Sequence, residues 1–190
     1  MNELLKQTPS QTVGPYFAYG LTAEQYHYPF TQVATANLIQ DETSKGERIA
    51  ITGKVLDGAG NFIPDAMIEI WQADADGNYN NPNFKGFGRV GTGSSGDGKF
   101  IFQTIKPGSV NGAAPHITVI VFMRGILVHA YTRIYFSDEF ELNEKDEVIK
   151  SVDKERIHTL IAKRNEVNIK AAYHFDIYMQ GENETVFFDV

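Results

Sequence analysis

The chain contains no cysteine, which removes disulfides and thiolate metal ligands from consideration. Basic residues are outnumbered: 17 Lys and Arg face 24 Asp and Glu, for a net charge of −7. Such a surface lacks the cationic face that phosphate backbones require, so no nucleic acid partner is expected. No run of about 18 apolar residues exists, so no membrane partner is expected either. The opening stretch Met1-Asn2-Glu3-Leu4-Leu5-Lys6-Gln7 has no apolar core of the kind a secretory leader carries, and the cytoplasm is the expected compartment. A Gly-x-Ser-x-Gly nucleophile motif is missing too, which gives serine hydrolysis no support.

What is present describes a soluble globular chain. Its 190 residues are 42% hydrophobic and 22% charged, enough for one domain with a substantial core. Aromatic content is 12%, from 13 Phe, 9 Tyr and 1 Trp, and aromatics favour strands and interfaces. Residues 1–46 show no sustained periodicity yet hold Tyr16, Phe17, Tyr19, Tyr26, Tyr28 and Phe30. An irregular arm with that much apolar surface must cover something, either its own domain or a partner subunit. From residue 47 to 190 the pattern changes to short β-rich runs broken by turn residues. Strands are expected at 48–56, 66–73, 87–90, 99–104, 116–122, 127–136, 173–179 and 185–188. Asp153 is a candidate cap for one short helix near 153–163, in which Ile157, Leu160 and Ile161 share a face. The expected fold class is all-β: an antiparallel β-sandwich with a long irregular N-terminal arm and that single helix.

Several local patterns fail as functional motifs. Asp74-Ala75-Asp76-Gly77-Asn78-Tyr79 resembles a calcium loop only superficially, because its sixth and twelfth positions are Tyr79 and Lys85 rather than Gly and Glu. Gly86-Phe87-Gly88-Arg89 and Gly91-Thr92-Gly93 lack the strand-loop-helix context of a phosphate cradle. Two readings stay open for the strand face carrying His129, Tyr131, Arg133 and Tyr135. A His/Tyr metal site there would have only two ligands on one strand, whereas a polar wall with one useful cation needs nothing further. Arg133 itself either forms a plain ion pair or grips a carboxylate through two parallel hydrogen bonds.

One segment is more specific. Pro107-Gly108-Ser109-Val110-Asn111-Gly112-Ala113-Ala114-Pro115-His116-Ile117-Thr118-Val119 puts a histidine at the mouth of an apolar strand, with threonine at the next position on its face. Thr8-Pro9-Ser10-Gln11-Thr12-Val13-Gly14-Pro15-Tyr16, Asp65-Ala66-Met67-Ile68-Glu69-Ile70-Trp71-Gln72-Ala73-Asp74, Thr132-Arg133-Ile134-Tyr135-Phe136 and Gly181-Glu182-Asn183-Glu184-Thr185-Val186-Phe187-Phe188-Asp189 join it. Together these stretches resemble the intradiol ring-cleaving dioxygenases, and within them the ligand-poor alpha chains of the two-chain members. The resemblance covers nearly the whole sequence.

That resemblance implies a β-sandwich subunit in an assembly where a ferric ion is held by two tyrosines and two histidines of a homologous beta subunit. It implies that this chain carries no metal and no catalytic group of its own. Val110 stands where a ligand tyrosine belongs, His116 matches the first histidine and Thr118 replaces the second, while Tyr79 has no assigned counterpart. It further implies that Thr12, Gly14, Pro15, Tyr16 and Arg133 line the partner's pocket for a small aromatic acid substrate, and that alpha–beta pairs assemble into a higher hetero-oligomer. The alternative from another class is a stand-alone β-sandwich binding module without catalytic activity.

Overall fold

A computed structural model describes residues 20–31, 33–39, 43–167 and 170–190. Among the described residues nine strands dominate: β1 (Arg48–Leu56), β2 (Met67–Trp71), β3 (Phe87–Gly91), β4 (Lys99–Ile105), β5 (His116–Phe122), β6 (Ala130–Phe136), β7 (Ile161–Val167), β8 (Lys170–His174) and β9 (Ile177–Tyr178). They follow the order β3-β2-β5-β6-β7-β8-β1-β4, with β9 pairing β1. β7 is the link between the two halves, pairing β6 through Ile161 and Ala162 and β8 through Lys163 to Val167.

Alternation builds the core. In β1, Ile49, Ile51, Gly53 and Val55 are buried while Ala50, Thr52 and Lys54 between them are partly exposed. β5 does the same with Ile117, Val119 and Val121, and β2 contributes Ile68 and Ile70. These side chains meet Phe100, Phe102, Ile134 and Phe136 in one shared cluster. Each fully buried aliphatic or aromatic side chain contributes roughly 1.5–3 kcal/mol relative to exposure. The sheet order is therefore a ribbon folded so that both halves bury the same face. Its open edges are closed by a strap: the Arg89 N–H of β3 donates to the Thr35 carbonyl at 3.0 Å, and on the other edge Gln103 of β4 accepts from the Leu38 N–H at 2.8 Å and donates to the Ala36 carbonyl at 2.9 Å. Covering both edge strands removes a template for aggregation. Leu38, in the second half of the expected arm, is part of this chain's own core.

The all-β class holds, with two differences in detail. The sheet is mixed rather than purely antiparallel, since β1 runs parallel to β8 and β9, and β6 parallel to β7. The helix expected near 153–163 is only a 3-10 turn, Ile157–Leu160, after which Ile161 opens β7. Two short α-helices precede it, α1 (Phe140–Asn143) and α2 (Glu147–Lys150), and Asp146 rather than Asp153 is the capping residue. Glycine is required at Gly53, where a Cβ would lie 1.8 Å from the Phe175 carbonyl oxygen.

Candidate functional site

The site lies on the face of β5 and β6 that turns away from the shared core. Antiparallel register places Thr118 opposite Arg133, His116 opposite Tyr135 and Ile120 opposite Tyr131. Trp71 of β2 pairs with Thr118 on the other side, and Phe87 of β3 pairs with Trp71. Phe87, Trp71, Thr118 and Arg133 therefore form a row across four strands, since directly opposed residues share a face. Tyr79, delivered by the loop after β2, stacks on Trp71 with ring centroids 5.8 Å apart and planes 11° apart. That loop is set by Asp74, whose carboxylate accepts from the Asp76 and Asn78 backbone N–H groups at 2.9 and 2.8 Å and from the Asn81 side chain at 2.7 Å. The would-be calcium loop is a turn closed by its own backbone.

Arg133 is half-buried between aromatic neighbours. Its Nη1 donates to the Tyr135 hydroxyl at 3.4 Å, and its Nε is buried with no acceptor. Burial works against its charge, but the hydroxyls of Tyr135 and Tyr131 outweigh it and hold the guanidinium firmly protonated. Among the described residues no carboxylate pairs with it. The contrast with Arg89 on the same face is direct, because Arg89 bonds Glu69 across the strand pair at 2.6 Å. The ion-pair reading of Arg133 therefore has no partner among the described residues, and the carboxylate-binding reading retains a free donor.

Around it, Tyr135 donates to Asp146 at 3.2 Å. Asp146 is buried and accepts three backbone bonds, from Val148 and Ile149 at 2.9 and 3.0 Å and from Ala114 at 2.9 Å. Burial opposes its ionisation, yet these donors win and place its pKa below the ordinary carboxylate value. The Tyr135 phenol moves the other way, pushed up to about 12 chiefly by burial. His116 is 8% exposed, with Nδ1 bonded to the Ala114 carbonyl at 2.8 Å. Burial, reinforced by the nearby Arg133 charge, lowers its pKa and keeps the imidazole neutral near pH 7.

These residues do not fit a ferric ion. Among the described residues no three His, Cys, Asp or Glu side chains converge in a way that could hold a metal. Thr118 offers only a neutral hydroxyl, 3.5 Å from that of Tyr131. Val110, opposite Ala113 in a short bridge, has no donor side chain. A permanent guanidinium beside His116 and Tyr79 would repel any cation placed between them. His129 is exposed against the Phe122 ring, just before β6 begins, and Tyr131 packs edge-on to Phe188. The pair builds no site together. Of the pocket residues expected from the sequence, Arg133 sits in this face, whereas Thr12, Gly14, Pro15 and Tyr16 lie outside the described residues. Tyr135 and Asp146 complete the arrangement although sequence reasoning gave neither a role.

A family profile described as a dioxygenase matches residues 14–181. The protocatechuate 3,4-dioxygenase alpha chain of Burkholderia cepacia is 47% identical over 195 residues, covering 98% of both chains. The chain belongs to the intradiol ring-cleaving dioxygenase family. The protocatechuate 3,4-dioxygenase beta chain of the same organism is 30% identical over 178 residues, covering 83% of this chain and 74% of that one. This chain is thus similar to both subunits of one enzyme, but much more so to the alpha chain. Among solved structures, the dioxygenase domain of a carbohydrate-binding fusion from Streptomyces sp. SirexAA-E superposes with a TM-score of 0.64 at 23% identity, covering 82% of this chain and 95% of that one.

Proposed function

We propose that this chain is the alpha subunit of a heteromeric protocatechuate 3,4-dioxygenase, acting beside a homologous beta subunit that holds the ferric ion. The complex joins both atoms of O2 to protocatechuate and opens the ring between its two hydroxyls, giving 3-carboxy-cis,cis-muconate. Ferric iron, when bound by the beta subunit, supplies the coordination chemistry of the ring opening. This chain supplies shape and charge. Alpha–beta pairs assemble further, in the cytoplasm, with residues 1–46 reaching toward the partner. The exposed stack of Tyr28 on Phe30, with centroids 5.9 Å apart, supports a covered surface there.

The observation that carries the reading is the state of Arg133: a half-buried cation in an aromatic wall, bonded to the Tyr135 hydroxyl and with no carboxylate partner among the described residues. Protocatechuate carries a carboxylate remote from its reacting hydroxyls. A fixed guanidinium orients the ring through that group and offsets the cost of removing it from water. Thr12, Gly14, Pro15 and Tyr16 are proposed to line the same pocket.

The test is co-expression with a beta chain. The two chains should co-purify with iron and turn over protocatechuate, while the alpha chain alone should hold no stoichiometric iron. Arg133→Ala should then lower kcat/KM about 10- to 100-fold, mostly through KM, because a hydrogen bond to a charged group is worth about 1.5–3 kcal/mol. Unchanged kinetics would remove Arg133 from the substrate site, and iron bound to the solitary chain would end the division of labour.

A further inference from the structure

An arginine on a sheet face has many rotamers, and a guanidinium selects a carboxylate only when its fork is held in one plane. On this face the fork is held from one side. Tyr135 stands two residues further along β6, so it projects to the same side of the sheet as Arg133. Its ring is fully buried, 5.7 Å from the His116 ring and packed against Ala114, Ile149, Leu160 and Val186. Its hydroxyl hydrogen is committed to Asp146 at 3.2 Å, which leaves an oxygen lone pair for Arg133 Nη1 at 3.4 Å. Asp146 in turn is locked by the two N–H groups opening α2 and by that of Ala114, in the loop leading to β5.

We infer that Tyr135, anchored by Asp146, is a positioning residue that aims the Arg133 guanidinium, so that the part of its fork not bonded to the phenol meets the substrate carboxylate. The inference rests on the reading of Arg133 as the substrate's counter-charge. Donation converges on one carboxylate: guanidinium to phenol and phenol to Asp146, which also accepts from the backbone N–H groups of α2 and of Ala114. Each bond in such a chain polarises the next. The neutral imidazole of His116 beside the phenol adds no second cation to compete for the carboxylate.

The experiment is a double-mutant cycle on the reconstituted alpha–beta complex with Arg133→Ala, Tyr135→Phe and both together. Tyr135→Phe removes one oxygen, keeps the ring in its packing, and leaves Asp146 with three backbone donors, so the complex should assemble. KM for protocatechuate should rise about 3- to 10-fold with kcat within about twofold, less than on losing the guanidinium itself, because the substrate keeps its bond to a less firmly aimed Arg133. The inhibition constant of catechol, which has no carboxylate, should not change. In the Arg133→Ala background the second substitution should add nothing further. If Tyr135→Phe weakens protocatechuate and catechol alike, or adds in full to Arg133→Ala, the positioning role is wrong while the role of Arg133 stands. If Arg133→Ala itself leaves the KM for protocatechuate unchanged, the reading beneath the inference fails instead.

Discussion

Asp146 is the residue whose removal should cost this fold most for its size. It lies at the start of a four-residue helix, is 1% exposed, and ties three separate pieces of chain together: α2, the loop before β5 and the end of β6. Asp146→Ala leaves the N–H groups of Ala114 and Ile149 buried without an acceptor, and those of Val148 and the Tyr135 hydroxyl without their present partner. An unsatisfied buried donor costs about 1–3 kcal/mol, and loss of an N-cap about 1 kcal/mol. Counting two buried donors and one cap, with water satisfying the half-exposed Val148, the loss is roughly 3–7 kcal/mol, a large share of the 5–15 kcal/mol typical of a folded domain. With a urea m-value of about 3 kcal/mol/M, the midpoint should fall by about 1–2 M. The assay is urea unfolding of the purified complex, followed by far-UV circular dichroism for both proteins in the same buffer. A midpoint displaced by less than about 0.3 M would show that solvent reaches these donors freely and that Asp146 is not the clamp described.

Two further outcomes follow from other sites. Gly53→Ala directs a Cβ to 1.8 Å from the Phe175 carbonyl oxygen. Main chain cannot swing aside as a side chain does, so the thermal midpoint should drop by about 5–10 °C or the soluble yield collapse, and a midpoint within about 2 °C would refute the contact. His116 titrates below its ordinary 6.5 in the folded chain, so the unfolded chain takes up the proton first as pH falls. Its contribution to stability is therefore complete above about pH 6.5 and is lost progressively below it, toward the lowered folded value. Urea midpoints at pH 7, 6 and 5 should decline more steeply for the native chain than for His116→Gln, and parallel declines would contradict it.

Much of this arrangement was legible in the residues. β-rich runs bounded by turn residues place β1 at Arg48–Leu56 and β5 at His116–Phe122, with the boundaries the structure shows, and strand alternation says which residues share a face. The same alternation puts His116 with Thr118, and Arg133 with Tyr135, on common faces. What alternation cannot supply is the partner across the sheet, and it is register that brings Thr118 opposite Arg133. Failures occur where a short apolar spacing spans two elements. Ile157, Leu160 and Ile161 imitate a helical stripe, yet the first two belong to a 3-10 turn and the third opens a strand with three charged residues in it. Thr185-Val186-Phe187-Phe188 has strand composition but makes no ladder. Its backbone is instead tied by scattered bonds, Thr185 N–H to the Tyr178 carbonyl, Phe188 N–H to that of Tyr131, and Val186 to the hydroxyls of Thr159 and Thr132. The cap expected from the residues is Asp153 rather than Asp146, whose meaning for Tyr135 depends on an excursion that folds back over β6.

The chemistry of this face gives a physical reason for two similar chains to divide one site between them. A ferric centre needs anionic phenolates and neutral imidazoles around a concentrated positive charge, and any fixed cation nearby weakens it. An aromatic acid needs the reverse, a fixed cation at its carboxylate with no competing metal. A single sheet face cannot satisfy both demands within a few ångströms. Here Thr118 and Val110 offer neither a nitrogen nor a phenolate donor, and Arg133 brings a charge that would repel a metal. Under the proposed pairing, the homologous subunit keeps the metal-binding version while this chain is free to hold the counter-charge for the substrate. Restoring a histidine at position 118 alone would not reverse that choice, because the guanidinium directly across the strand pair would still oppose the ion.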